Sequence, residues 1–349
     1  MLAADIEFLR TRICADQLEF DVGSYGTAVA ATYANMYPER VGKIMLASSM
    51  PPVPETLTFA KGNGMAMTQA FAQLERLCLE GHSDCQGHSF DTQNDSTLTD
   101  QWLSLTETIR AGQLTATTNM TNNLGDYVQF PLTIGLVQGY LQEKMGDAER
   151  FSEVFKIIQK LEEANEQQII DILDYYCKLT REVANESTTI RTWYTYGVCV
   201  GGQSVGSAFI AEPAILAQDY FGRFAVAQGM EAYRDFKTTW NDAMAVGPFV
   251  GLFSVLSSWK AEAVPVQPGF RAGIQAVALG NLYDPHTPFI WSNQMRESLP
   301  DGVQIIWQGG GHGEQHNDNM KDCKDAIDRF WRTGKLPPDG LTCRTPKFR

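Results

Sequence analysis

The sequence predicts an α/β fold in which a parallel sheet is shared between the two ends of the chain and a long, mostly helical insertion separates them. Three observations predict it. Near the start, FDVGSYGTAVAATYANMY (Phe20–Tyr37) passes from a β-prone stretch through a small-residue break into an Ala-rich helical run. Near the end, GIQAVAL (273–279) and VQIIW (303–307) are short apolar runs, followed by an aspartate and a histidine in Gly/Pro-rich turns. Between the two ends, apolar residues recur at spacings of three and four.

Taken in order, Ala3 to Ile13 carries Ile6, Leu9 and Ile13 at helical spacing and predicts a helix with one buried face. Leu18 to Val22 reads as a strand, Gly26 to Tyr37 as a helix stopped by Pro38, and Lys43 to Ala47 as a second strand. Strand, helix and strand with a short return imply a parallel βαβ unit of right-handed crossover. Pro51, Pro52 and Pro54 then mark a boundary. From Gly64 to Trp240 the pattern is helical, in MAMTQAFAQLERLCLE, AERFSEVFKIIQKLEEA and EQQIIDILDYYCKLTREVA, with further helices over Trp102–Leu114 and Phe221–Trp240. The loop GVCVGGQSVG (Gly197–Gly206) lacks the Lys and Thr of a phosphate-binding loop and reads as loop packing. Ala243 to Trp259 is nearly free of charge but contains Gly247 and Pro248, so it reads as buried core and not as a membrane span. After Pro265 and Pro268 the α/β texture returns, with a strand over Gly273–Leu279, a helix over Pro288–Leu299 and a strand over Val303–Trp307. The expected division is therefore 1–50 as the first core segment, 51–262 as a helical cap insertion and 263–349 as the second core segment.

Composition narrows the function. The 349 residues are 44% hydrophobic and 20% charged, with a formal net charge of -13 and a pI near 4.9. Nucleic-acid binding rests on clustered Lys and Arg, and no such run occurs, so no nucleic-acid partner is expected. The acidity suits attraction of a cationic group such as a peptide amino terminus, and suits solubility equally. The opening MLAADIEFLRTR has acids and no apolar core, so it does not read as a signal peptide.

The chemistry is carried by three residues. Ser24, in Val22-Gly23-Ser24-Tyr25-Gly26, sits where a strand turns sharply into a helix, which pushes a serine hydroxyl above the sheet and brings the N–H of Tyr25 to a helix N-terminus as an oxyanion donor. Asp284, in GNLYDPHTP, and His312, in GGGHG, each follow a strand at its carboxyl end, where an open α/β sheet places reacting groups. Ser24, Asp284, His312 is the chain order of α/β-hydrolase triads. His316 competes with His312, but the glycine-flanked turn directly after the strand favours His312. His286 reads as a surface or substrate-cleft residue. Cys78, His82, Cys85 and His88 in CLEGHSDCQGH have spacings that also suit zinc.

The serine before YGT, DPxTP and GGGHG in that order, followed by DCKDAIDRFWRTGKLPPDGLTC, resemble the tripeptidyl-aminopeptidase branch of the α/β-hydrolase exopeptidases, close to the prolyl aminopeptidases. The resemblance covers both ends of the chain and implies Ser24 as nucleophile, Asp284 as triad acid and His312 as base. It implies disulfides between Cys323 and Cys343 and, in preference to zinc or free thiols, between Cys78 and Cys85. Of the seven cysteines, Cys177 and Cys199 are then a candidate pair within the insertion and Cys14 a buried thiol. Cysteine usage of this kind suits an oxidising compartment, and the resemblance implies a secreted or periplasmic location. No cofactor or metal is expected, and the implied partner is a small peptide or ester.

Val22 stands where the family has glycine, and the family carries a further stretch ahead of this start that includes a GGPG oxyanion loop. The chain is accordingly expected to be N-terminally truncated. The function expected is a serine hydrolase of aminopeptidase type. Two alternatives are a truncated, catalytically impaired or inactive hydrolase-fold protein, and an esterase or amidase on small substrates. A purely structural module would leave the placing of Asp284 and His312 unexplained.

Overall fold

The computed structural model describes residues 2–52, 55–85, 97–121, 127–173, 217, 219–239, 270–313 and 320–344. Helix α1 (Leu2–Arg12) is followed by β1 (Leu18–Gly23), α2 (Tyr25–Met36), a short 3-10 turn (Pro38–Arg40) and β2 (Val41–Ala47). Then come α3 (Thr56–Leu79), α4 (Leu98–Arg110), β3 (Thr115–Thr121), β4 (Tyr127–Pro131), α5 (Ile134–Met145) and α6 (Glu153–Glu162). A further helical run over 166–173 precedes α7 (Val226–Thr239), β5 (Ala276–Tyr283), α8 (Phe289–Glu297), β6 (Val303–Gly310), α9 (Lys321–Thr333) and β7 (Leu341–Cys343).

Five strands form one sheet in the order β1-β2-β5-β6-β7, and every pairing in it is parallel. The order follows the chain, so all the carboxyl ends lie along one edge. Both faces of the sheet are covered at its centre, where β2 and β5 are buried runs, whereas β1 at the edge alternates. Ile44, Leu46, Ala276 and Ala278 face α1, α2 and α8 in a core with Ala30, Tyr33 and Met295. Met45, Ala47, Val277 and Leu279 face α9 with Trp307, Ile327 and Phe330. Each buried Ile, Leu, Val or Met among these contributes roughly 1.5–3 kcal/mol.

Four expected strands occupy their places with small shifts of boundary, and a fifth, β7, was not foreseen. Three residues are too few for a periodic signal, and β7 exists because its pairing with β6 and the Cys323–Cys343 bond, with S–S 2.02 Å, hold it there. In the segment expected to be helical, β3 and β4 form an antiparallel hairpin, so that reading is corrected in part. The run of Thr and Ala in β3 has no helical stripe to bury, and its β-branched residues suit a strand. α3 to α6 and the run after them share their own apolar cluster, around Phe71, Trp102, Phe151 and Phe155. The glycine-rich 197–206 and the apolar 243–259 lie outside the described residues.

Helix α1 reverses the expected face. Leu9 is 60% and Ile13, just past its end, 68% exposed, whereas Ala3 and Arg10 are buried. The reason is polar. Arg10 pairs with Glu7 at 2.7 Å, and Tyr33 of α2 donates its hydroxyl to the same Glu7 carboxylate at 2.7 Å. That network turns Glu7 and Arg10 inward and leaves Phe8, Leu9 and Ile13 outside. Cys14, expected as a buried thiol, is likewise exposed.

Candidate active site

Strand β1 ends at Gly23, and Ser24 makes the turn into α2 with φ 55 and ψ -130. A positive φ at a residue with a side chain is strained, and it persists only where the surroundings enforce it. Here they do. The Ser24 N–H donates to the Ala47 carbonyl of β2 at 3.0 Å, and the Ser24 carbonyl accepts from the Thr27 N–H at 2.9 Å and from the Thr27 hydroxyl at 2.7 Å. Val22 is accommodated by the glycine after the serine, since a Cβ at Gly26 would lie 3.1 Å from the Val22 Cβ. Tyr25 opens α2, so its amide is at the positive end of that helix. Its hydroxyl donates to the Asp219 carboxylate, and burial followed by that carboxylate holds the phenol well above its ordinary pKa.

Asp284 comes directly after β5 and is 1% exposed. Its carboxylate is surrounded by donors. Oδ1 accepts from the backbone N–H of His286 at 2.8 Å and of Thr287 at 2.9 Å, and Oδ2 accepts from the Thr287 hydroxyl at 2.8 Å. The DPHTP turn thus folds around its own acid, with Pro285 helping to set the bend. His312 places Nδ1 at 3.0 Å from Oδ1 and 2.9 Å from Oδ2. Burial alone would raise the Asp284 carboxyl, but His312, then His286 and the Ser48 hydroxyl, outweigh it and hold the acid below its ordinary range. An ionised acid on Nδ1 fixes the imidazole tautomer in which Nε2 is the proton acceptor. Gly311 and Gly313, at φ 98 and 71, allow the chain to turn on both sides of the histidine.

β1 and β6 are three strand spacings apart, roughly 14 Å, so the base loop must cross β5 and β2 to approach Ser24. The loop reaches β2 at Ser48, the residue after that strand. The Gly313 N–H donates to the Ser48 Oγ at 2.8 Å, while Ala47, the residue before Ser48, holds the Ser24 N–H. Asn281 adds donations to the Gly311 carbonyl at 2.9 Å and to the Ser48 Oγ at 3.4 Å.

The helices between β2 and β5 hold the other side. Asn63 of α3 donates to the His286 carbonyl at 2.9 Å, Gln142 of α5 to the Pro285 carbonyl at 2.9 Å, and the His312 N–H donates to the Gly146 carbonyl at 2.8 Å. Asn63 and Gln142 are almost wholly buried. Two polar side chains buried inside amphipathic helices are explained by these bonds, since without them each would carry an unpaired desolvated amide.

The structure therefore brings Asp284 and His312 into contact and sets Ser24 on the same sheet edge. His286, expected at the surface or in a substrate cleft, packs against His312, its ring centroid 4.7 Å from that of His312. Burial first, then His312, push it down to about 3 against the pull of Asp284. His316 lies outside the described residues, as do Cys177 and Cys199. Cys78 is bonded to Cys85 and His82 Nδ1 accepts the Asp84 N–H at 3.2 Å, so the zinc reading does not hold for these thiols. Sequence reasoning missed Ser48, Asn281, Asn63, Gln142 and Gly146. The one legible signal was the pair Ser48-Ser49 at the carboxyl end of a strand.

Residues 257–343 match the model of a family described as TAP-like protein, an α/β-hydrolase domain. That stretch contains β5 to β7 with Asp284 and His312, and it makes the chain hydrolase-like. No curated protein matches the chain. Among the described residues no helix is long and apolar enough to cross a membrane.

Proposed function

We propose that the chain is a serine hydrolase of aminopeptidase type, with Ser24 as nucleophile, His312 as general base and acid, Asp284 as the group that orients and stabilises the imidazolium, and the Tyr25 N–H as an oxyanion donor. The observation that carries the reading is the hydrogen-bonded Asp284–His312 couple, tied by two hydrogen bonds through residues 47 and 48 to the turn at Ser24. His312 Nε2 takes the Ser24 proton as Oγ forms a bond to the substrate carbonyl carbon. The same proton passes to the leaving amine as the C–N bond breaks. Water repeats the sequence on the acyl-enzyme and returns the proton to Ser24. The oxyanion donor is worth about 3 kcal/mol in the transition state. In this reading 1–50 and 263–349 form the hydrolase core and 51–262 the cap, and the two disulfides suit a secreted protein.

Asp219 supports an exopeptidase. It is exposed yet bonded to the side chain of the residue after the nucleophile, which sets a carboxylate beside the elbow for a substrate ammonium group. The test has two parts. A fluorophosphonate should label native protein and not Ser24→Ala, and absence of labelling in the native protein would favour the inactive alternative. A free-amine tripeptide anilide should then be cleaved faster than its N-acetylated form, with the preference reduced in Asp219→Asn. Equal rates on both substrates would make the protein a general esterase or amidase.

A further inference from the structure

We infer that Ser48 is a positioning residue that carries the His312 loop across the sheet toward Ser24. The inference rests on the proposed hydrolase reading for its kinetic consequences and on geometry for the role itself.

Ser48 has three properties that an ordinary strand-end serine does not combine. It is 1% exposed. Its φ is 48, a left-handed value that glycine adopts freely and serine does not. Its Oγ is the meeting point of the Gly313 N–H at 2.8 Å and the Asn281 amide at 3.4 Å. Serine at a position that suits glycine invites the question of what the hydroxyl does. The bonds answer it: Gly313 follows His312, so the acceptor on β2 fixes the far side of the base turn, just as the Gly146 carbonyl fixes the His312 N–H on the near side. The backbone around Ser48 needs no help from its side chain, because the Ser48 N–H already donates to the Leu279 carbonyl of β5 at 2.9 Å. The hydroxyl also helps to hold the neighbouring Asp284 ionised. His286 is the titratable group that the contacts above bring against the couple, while α3 and α5 face it with the uncharged Asn63, Gln142 and Gly146.

Ser48→Gly separates the two explanations, because it relieves the backbone and deletes the hydroxyl. If Ser48 were only a piece of strand end, the glycine variant would melt no lower than native and label equally fast. The expected result is an unchanged or raised melting temperature with fluorophosphonate labelling slowed about tenfold or more. On a p-nitrophenyl ester, kcat should fall while KM stays the same, and the acid limb of the profile should move to higher pH, as Asp284 leans harder on the imidazolium. Ser48→Ala keeps the strain, and should slow labelling equally. The His312 imidazole titration, followed by NMR and assigned with His312→Gln, provides the readout that does not need activity. An altered midpoint in Ser48→Gly supports the role even if the native protein proves inert to the fluorophosphonate, which would count against the hydrolase reading alone. Native labelling rate and an unmoved His312 titration in Ser48→Gly would overturn the inference.

Discussion

The two sides of the sheet's carboxyl edge are built differently. On the side of β5 and β6, the Asp284 carboxylate accepts from its own turn, that turn's carbonyls accept from Asn63 of α3 and Gln142 of α5, and the Gly313 N–H after His312 donates to Ser48 at the end of β2. On the side of β1, the elbow is held from β2 and α2 alone among the described contacts of its backbone, and the adjoining α1 shows Phe8, Leu9 and Ile13 to solvent. The difference teaches that Asp284 and His312 are set by buried polar bonds drawn from several elements, which are directional and costly to break, whereas Ser24 is set by hydrogen bonds of its own turn to β2 and α2. Substitutions should therefore be felt through chemistry on the first side and weakly, through surface properties, near α1.

The largest effect is expected at Asp284. Asp284→Asn presents an amide to donors that require an acceptor and reverses the tautomer of His312, and it should lower turnover or labelling about 10⁴-fold, read by labelling kinetics against Ser24→Ala. A loss under tenfold would mean that the enclosed couple is not the working one. Next comes the tie behind it. Opening Cys323–Cys343, which spans 20 residues, should cost about 3 kcal/mol and melt β7 from the sheet. Opening Cys78–Cys85, which spans 7, should cost less, and thermal melts of the two Cys→Ser pairs compare them.

Acid separates the two sides further. His286 is held neutral down to about pH 3, so as pH falls below its unfolded value, roughly 6.5, the unfolded chain takes up a proton that the folded one refuses. Its contribution is thus destabilising and grows as pH falls from there to about 3. His286→Phe should flatten that part of a urea-midpoint profile. Glu7 behaves in the opposite sense. Hydrogen bonds from Arg10 and then Tyr33 hold it down to about 2, so the stability it supplies is complete above the ordinary carboxylate range and is lost as pH falls from about 4.5 to 2. Glu7→Gln should remove this lower step and spare the upper one. The smallest effect belongs to the apolar surface: Phe8→Ser with Leu9→Ser should change stability by about 0.5 kcal/mol or less while reducing dye binding by ANS. A large loss of stability would show that α1 is packed on that face in solution.

What the sequence by itself determined is local. Ile44–Ala47 and Ala276–Leu279 are apolar at successive positions, which suits central strands covered on both faces, and the small residues around Ser24 and the glycines around His312 suit sharp turns. Asp284 and His312 could be singled out because each lies within two residues of the end of its strand, and the turn at Ser24 because a strand-to-helix break is itself a short-range pattern. Tertiary structure alone decided the rest. Ser48 became an anchor only when β2 was laid between β1 and β5, and Asn63 and Gln142 could be told from ordinary helix polars only once α3 and α5 met the acid loop. Leu9 and Ile13 shared one apolar spacing with Ile6 but lost the inward face to Glu7 and Arg10, because Tyr33, which fixes those two, is 26 residues from Glu7. Periodicity reports which residues share a face of an element; which face turns inward depends on partners that are distant in the chain.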